Sequence, residues 1–410
     1  MTRPTPPITA LSPLRNRSFA VLWWAWLVGN SCLWMSDVAA AWLMTTISDS
    51  KAMVALVQTA TALPAFMLAL PGGALADLVD RRRWFLVSHL WMAGTAGLLT
   101  LTAFTGSLSP PVLLGLVFCG GTGFAMRWPV FSALVPEVVA RPELPQALAL
   151  HAVAVNASRV IGPIAAGGLL AAWGSSWVFA LSTALWLVCA LMVWRWRHAA
   201  PLRTREKGRL LHAMRAGLRY AWRSAPMRSA MAHGWLLFVA VAGLMGLLPL
   251  LARLLGNGSA AVYTALFACL GGGAIVAALS LQRLRAHTEP QRLVSTGLVI
   301  LALTIVAVAV APNTWLAAPA LSVWGGAWLT VGNTLSVRAQ LALPDRLRAR
   351  GMAIFLMAVM AGSASGAAAF GAIAEQIGVR PALLALATFT LGLCGWMRSR
   401  WPIRPRAIQP

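Results

Sequence analysis

The chain has 410 residues, of which 59% are hydrophobic and only 10% charged, and its mean hydropathy is +0.74. A water-soluble protein of this length needs more charged side chains to cover its surface, so the composition excludes that class and predicts an integral membrane protein. The formal net charge of +23 would favour nucleic acid as a partner of a soluble chain. Here the basic residues fall between long apolar segments, and we expect no nucleic-acid binding.

Twelve apolar segments follow one another along the chain, each close to the ~20 residues with which a helix crosses the hydrocarbon layer. They predict an all-α membrane protein of twelve transmembrane helices in two six-helix bundles. The predicted spans are 19–44, 52–76, 84–106, 111–133, 147–171, 174–195, 229–252, 259–281, 292–311, 314–338, 351–374 and 379–397.

The basic residues alternate between the two sides of these spans. Of the 33 Lys and Arg, only Lys51, Arg253 and Arg380 fall in loops on one side, and Arg159 lies inside a span. The others gather in the loops on the opposite side. Because positively charged loops stay in the cytoplasm, this pattern predicts a multi-pass protein of the bacterial inner (plasma) membrane with both termini cytoplasmic.

A basic stretch at 197–228 separates the first six spans from the last six. Its apolar residues recur at helical spacing beside a row of arginines, which predicts an amphipathic helix against anionic membrane lipids. The predicted division is an N-terminal bundle at 1–196, a cytoplasmic linker at 197–228 and a C-terminal bundle at 229–410. A tether between the bundles is the simpler role for the linker, and a regulatory lipid site is the alternative.

A charged loop between the second and third spans carries a candidate gate. Gly73 permits a neighbouring helix to approach closely, and Asp77 can face the positive N-terminus of that helix. Arg81 and Arg82 can pair with Asp77 or with Asp80. The alternative is a solvated turn that only sets the topology of the chain.

Two charges lie inside predicted spans and are the sharpest candidates for function. Asp37 lies about 27 Å along the first span, and an acid buried there can load and release a proton. The alternative places Asp37 in water at the outer mouth. Arg159 retains its charge, so it must pair, bind an anion or face water. Further candidates for the wall of a cavity are Asn30, Asn156, Trp324, Trp328 and Asn333.

Two other charged residues are given structural roles. Arg127, at the end of the fourth span, is expected to anchor the helix at the membrane interface beside Trp128. Glu375 is expected to be a solvated residue that closes the eleventh span. No ATP-binding loop and no metal or haem spacing is present, so we expect no enzyme activity and no cofactor, and energy from an ion gradient or a substrate gradient.

The order Gly-x-Leu-Ala-Asp-x-x-Asp-Arg-Arg that begins at Gly73 resembles the loop between helices 2 and 3 of major facilitator superfamily transporters. The resemblance extends over essentially the whole chain. It is nearest to the branch of drug and siderophore exporters that includes macrolide efflux pumps and the enterobactin exporter. Asp80 stands where the wider superfamily usually has Gly. The resemblance implies that the loop joins helix 2 to helix 11 and closes the cytoplasmic side.

Three further stretches carry the resemblance. Gly162, Pro163, Gly167 and Gly168 are similar to the Gly-Pro antiporter motif of helix 5, with one extra residue between Pro163 and Gly167. The segments 129–137 and 216–228 are typical of the exporter branch. None of these stretches names a substrate.

The sequence thus predicts a secondary active transporter that exports a small amphipathic molecule, a drug-like compound or a siderophore, in exchange for protons by alternating access. Its expected partners are the small-molecule substrate, protons and membrane lipids, and the chain is expected to act as a monomer. One alternative is an importer of a small metabolite on the same fold. Another is a membrane sensor or scaffold that transports nothing.

Overall fold

Long helices form almost the whole of the protein. The computed structural model describes residues 9, 11–76, 79–196, 219, 222–255, 259–344 and 348–400, with the backbone alone for 69–76, 348–350 and 398–400. Across these ranges there are twelve long helices, two short 3-10 turns and no strand, which confirms the predicted all-α class. The helices are α1 (Arg17–Ile47), α2 (Lys51–Ala76), α3 (Arg81–Phe104), α4 (Pro110–Val138), α5 (Leu144–Trp173), α6 (Ser175–Arg195), α7 (Ala225–Leu255), α8 (Ala260–His287), α9 (Pro290–Val310), α10 (Thr314–Leu341), α11 (Arg348–Ile377) and α12 (Val379–Arg400).

Several helices extend beyond their predicted spans. Helix α1 has 31 residues and α4 has 29, lengths of about 43–47 Å at ~1.5 Å per residue, against ~30 Å of hydrocarbon. Their ends therefore reach into the headgroup region, where polar residues are tolerated. The segment around Pro136 belongs to α4 and not to the loop after it, because a helix in a bundle accommodates a proline inside it.

Ten of the described helices are long and apolar enough to cross a membrane, and the two that miss this threshold are α1 and α10. Both carry several tryptophans and polar residues, which lower a hydropathy average without preventing insertion. Helix α1 also lines the cavity described below, to which α10 contributes Trp328.

One glycine connects the last two helices of each half. Gly174 joins α5 to α6 with φ +84°, and Gly378 joins α11 to α12 with φ +90°. A side chain at this backbone angle is strained, so glycine permits a one-residue reversal between long helices. The same device at matching places in both halves fits the internal repeat of this transporter architecture.

Helices α1–α6 pack with one another, α7–α12 pack with one another, and a smaller set joins the halves. The joining pairs are α2 with α11 and α7, α5 with α8, and α1 with α7 and α8. Small residues make the crossings close. A Cβ atom added to Gly371 would lie 2.5 Å from the Cβ of Ala55, and one added to Gly246 would lie 3.2 Å from it. The interior between these crossings holds the candidate site.

Candidate functional site

Two narrow, neighbouring lobes of a cavity lie where the halves face each other. Helices α1, α2, α7 and α8 line the first, and α1, α5, α7, α8 and α10 line the second. Trp34, Met245 and Phe267 line both lobes, so these three side chains stand between them. Apolar and aromatic walls with a few polar groups are typical of a site for a small molecule.

Asp37 lines the first lobe, which we call the Asp37 lobe. Its Oδ1 atom accepts a hydrogen bond of 3.3 Å from the hydroxyl of Thr61 on α2. Tyr263 of α8 lines the same lobe and stacks on Trp42 of α1, with ring centroids 5.9 Å apart. Within the described part of the chain, no basic nitrogen lies within 4 Å of the carboxylate. The structure therefore places at the interface of the halves an acid that has no counter-ion among the described residues.

Arg159 lines the second lobe, which we call the Arg159 lobe. Its guanidinium carbon lies 5.9 Å from the ring centre of Trp34 and 5.4 Å from that of Trp328. Asn156, one turn away on α5, lines the same lobe and donates its amide to the carbonyl of Ala152 at 2.8 Å. No ion pair joins Arg159 to Asp37 in the structure as described. The two predicted charges belong to adjacent lobes and not to one pair.

Glycines of the helix 5 motif position these side chains. A Cβ atom at Gly162 would lie 2.6 Å from the Cβ of Trp34, so its absence brings α1 onto α5 one turn from Arg159. A Cβ atom at Gly167 would lie 2.0 Å from Cγ2 of Thr264 on α8, across the junction of the halves. A Cβ atom at Gly168 would meet nothing within 4 Å. Pro163 is buried within α5.

Asn30 does not line either lobe. It is buried among the N-terminal helices, where its Oδ1 accepts a hydrogen bond from Nη2 of Arg127. The guanidinium of Arg127 lies between the rings of Trp26 and Trp186, at 4.5 and 5.0 Å from their centres. The side chain of Arg127 is 0% exposed, so the expectation of an anchor at the membrane interface is wrong. Asn30 gives this buried guanidinium one acceptor and the two indoles give it aromatic faces, whereas its Nε and Nη1 have no hydrogen-bond partner within the described residues.

Two more of the predicted cavity residues lie outside the lobes. Trp324 is buried and packs against Trp328 with ring centroids 5.7 Å apart, so it supports the lobe wall from behind. Asn333 accepts a hydrogen bond of 2.8 Å from Arg285, which ties α10 to α8.

The charged loop braces the N-terminal half. Asp80 caps α3 by accepting a hydrogen bond of 3.0 Å from the backbone of Arg83. Arg81 forms an ion pair of 2.5 Å with Glu137 of α4, and Arg82 donates to carbonyls at the end of α6. The backbone of Gly73 is part of α2, and Asp77 lies outside the described residues.

We call the end of the molecule that carries the α1–α2 and α7–α8 turns the outer end. Two charged residues, Glu375 and Arg253, close this end, and the sequence did not link them. Glu375 of α11 accepts hydrogen bonds from Ser50 and from the backbone of Ala52 at the start of α2. Arg253 of α7 donates to the carbonyl of Thr45 at the end of α1. We call these contacts the outer clamp. Charged residues are rare in the loops at this end, and this rarity was the signal in the sequence that could have indicated a role for Glu375 and Arg253.

Comparisons with known proteins agree with this architecture. The enterobactin exporter EntS of Citrobacter koseri is 26% identical over 366 residues, 88% of this chain and 86% of that protein. The staphyloferrin A transporter of Staphylococcus aureus is 24% identical over 161 residues, 39% of this chain, and the match spans 40% of that relative's length.

Solved structures show the same fold. A bacterial homologue of the human lysosomal transporter Spinster, in an inward-facing and unoccupied conformation, aligns with a TM-score of 0.76 at 14% identity and covers 94% of this chain and 96% of its own. The nucleoside transporter NupG aligns with a TM-score of 0.71 at 14% identity, over 93% of this chain and 98% of that one.

The shared fold, together with a family profile that matches almost the whole chain, identifies a multi-pass membrane transporter of the major facilitator superfamily, which is not an enzyme. The sequence profile of the family described as transmembrane secretion effector matches residues 8–406. The chain belongs to that family.

Proposed function

We propose that the protein exports a small amphipathic molecule, a drug-like compound or a siderophore, across the bacterial inner membrane in exchange for protons. The family description and the names of the relatives, an enterobactin exporter and a staphyloferrin A transporter, support the direction and the cargo. The distribution of basic residues supports cytoplasmic termini. A monomer embedded in lipid is the working unit of this proposal.

The observation that carries the proposal is the position of Asp37. It is an acid at the interface of the halves, bonded to Thr61 and without a cation within 4 Å in the described residues. An isolated carboxylate is costly in such surroundings, whereas its protonated form is tolerated. Asp37 is therefore suited to carry a proton in one conformation and to release it in the other.

The outer clamp supports alternating access. It holds the outer ends of α1, α2, α7 and α11 together, while the lobes lie deeper between the halves. Export requires this end to separate after the cargo has entered from the opposite end. The charged loop at that opposite end is the proposed second gate, with Gly73 and Asp77 latching α2 to α11. Asp77→Asn is then expected to abolish transport without changing insertion into the membrane.

Inverted membrane vesicles test the proposal. With a proton gradient that is acid inside, vesicles containing the protein are expected to accumulate enterobactin or an anionic drug-like dye, and Asp37→Asn is expected to remove the gradient-driven part. Asp49→Asn, which neutralises an exposed acid after α1, is the matched control and is expected to retain transport. Full gradient-driven accumulation by Asp37→Asn would contradict the coupling role.

The same vesicles separate the rival functions. An importer of a small metabolite would accumulate its substrate in right-side-out vesicles and not in inverted ones. A sensor or scaffold would move no compound in either preparation.

A further inference from the structure

We propose that the Arg159 lobe binds the planar anionic part of the cargo, such as an aromatic carboxylate, and discriminates against cations. This inference rests on the proposed function, because it names the substrate class of the same cavity. It assigns binding to Arg159 and leaves proton exchange to Asp37 in the neighbouring lobe.

The first support is the unsatisfied charge of Arg159. Its Nε atom is buried and has no hydrogen-bond partner within the described ranges, and no carboxylate there lies within 4 Å of the guanidinium. A guanidinium stays charged in proteins, so an interior site without an acid leaves it in need of an anion. A carboxylate can accept two parallel hydrogen bonds from one guanidinium, which no single neutral acceptor matches.

The second support is the pair of indole rings beside the guanidinium. Trp34 and Trp328 contact Arg159 from different helices, at 5.9 and 5.4 Å between the guanidinium carbon and the ring centres. Phe267 lies 6.0 Å from Trp34, and Trp324 backs Trp328 at 5.7 Å. These rings pack on one another, and Trp34, Phe267 and Trp328 also line the lobe. A flat ring in the lobe can make offset or edge-on contact with them, at about 4.5–7 Å between ring centres. A flat anion would therefore place its ring among the indoles and its carboxylate on Arg159.

The third support is the distribution of the lobe over both halves. Arg159 and Trp34 belong to α5 and α1, whereas Trp328 and Phe267 belong to α10 and α8. A ligand that touches all four bridges the halves, so its affinity depends on their relative position. This is the property that a transported substrate needs.

The electrostatics exclude the opposite charge class. A cation in this lobe would face a fixed positive charge at short range, where the interior screens it poorly. A neutral ring keeps the aromatic contacts and loses the ionic hydrogen bonds, which are worth about a ten- to hundredfold change in affinity.

Calorimetric titration of the full-length protein in lipid nanodiscs tests the inference with three ligands of one shape. These are 2-naphthoate, uncharged 2-naphthamide and the cation 2-naphthylmethylammonium. The expected order for the wild-type protein is naphthoate about ten- to hundredfold tighter than naphthamide, with the ammonium weakest.

Matched variants identify the residue responsible. Arg159→Gln is expected to make naphthoate and naphthamide equal, and Arg159→Lys to retain part of the preference. Trp328→Leu is expected to weaken naphthoate and naphthamide together and leave their ratio unchanged. Arg285→Gln removes an arginine outside the lobe that is bonded to Asn333 and is expected to change nothing.

Equal binding of the three ligands by the wild-type protein would overturn the inference, and so would a preference for naphthoate that survives in Arg159→Gln. Arg159→Lys preserves the charge and keeps the test valid if the Gln variant fails to fold. The titration uses no gradient, so it is independent of proton coupling. If the wild-type protein shows no proton-driven accumulation in the vesicles but still prefers naphthoate in the titration, the proposed function is refuted and this inference is not.

Discussion

Glu375 of α11 accepts a hydrogen bond of 3.0 Å from the backbone N–H of Ala52, in the first turn of α2. The two residues are 323 positions apart and belong to different halves. A carboxylate at a helix N-terminus is stabilised by the helix dipole, and Arg253 provides the complementary contact at the C-terminus of α1. The outer clamp thus binds the two helix ends at the α1–α2 turn with opposite charges, an arginine at the end of α1 and a glutamate at the start of α2.

Removing the outer clamp is expected to shift the protein toward conformations open at the outer end. Glu375→Gln weakens an exposed contact worth about 0.3–1 kcal/mol, a shift of about two- to fivefold in the conformational equilibrium. Thr264, which is 8% exposed at the junction of α5 and α8, reports the opening when replaced by Cys. Its alkylation by a membrane-impermeant thiol reagent should accelerate in the Glu375→Gln background.

Glu289→Gln is the control for this experiment, because Glu289 forms an exposed ion pair with Arg292 and takes no part in the clamp. An unchanged alkylation rate in Glu375→Gln would show that the clamp does not hold this end closed. The same protein without the added Cys gives the background from the native thiols.

Two adjacent glycines are expected to respond in opposite ways to the same change. Gly167→Ala places a methyl group 2.0 Å from Thr264, and the resulting overpacking is expected to lower the free energy of unfolding by about 1–3 kcal/mol. Gly168→Ala meets no atom within 4 Å and is expected to be neutral or slightly stabilising. Thermal unfolding in detergent measures both, and equal melting temperatures would contradict the close crossing of α5 and α8.

The buried pair of Arg127 and Asn30 is expected to behave as a unit. Asn30→Leu leaves the guanidinium without its acceptor and is expected to cost about 1.5–3 kcal/mol. The double variant Asn30→Leu with Arg127→Met removes the charge as well and is expected to regain most of that loss. Chemical denaturation of the wild type, the two single variants Asn30→Leu and Arg127→Met, and the double variant gives the coupling energy, and simple additivity would contradict the pair.

The charged loop is expected to stabilise α6 through Arg82. Arg82 donates to the carbonyl of Trp194 at 2.5 Å and to that of Val193 at 3.4 Å, in the last turn of α6. Arg82→Gln is expected to lower the free energy of unfolding by about 1–2 kcal/mol. Arg83→Gln removes the same charge from a side chain that is 85% exposed, so it controls for any effect on topology. An equal loss of stability in both variants would show that the effect comes from net charge and not from the hydrogen bonds between Arg82 and the end of α6.

The sequence predicted the helices well because long apolar segments have few other solutions in a membrane. It also drew attention to Asp37 and Arg159, because charges inside apolar spans need a reason to be there; both line the lobes, and their roles stay predictions. It failed for Arg127 because position along a helix does not reveal which side faces the bundle interior. Periodicity is weak in a helix that is apolar all round.

Pairings across the halves were beyond the sequence for a related reason. Glu375 was expected to be solvated and its side chain is exposed, but the sequence did not predict that it also bonds to the other half. Its hydrogen bond to Ala52 depends on the crossing of α2 and α11, which depends in turn on small residues such as Gly371 packing on Ala55. The sequence shows that position 371 is a glycine, but it does not show which helix packs against that glycine.

Trp34 forms a common wall between the two lobes, and its backbone is fixed against α5 at Gly162. A ligand that moves this indole in the Arg159 lobe also changes the surroundings of Asp37. By thermodynamic reciprocity, the factor by which a proton on Asp37 alters the affinity for that ligand equals the factor by which the ligand alters the affinity for the proton. A side chain shared by the two lobes therefore gives the protein a way to exchange one for the other without direct contact between the ligand and the proton site.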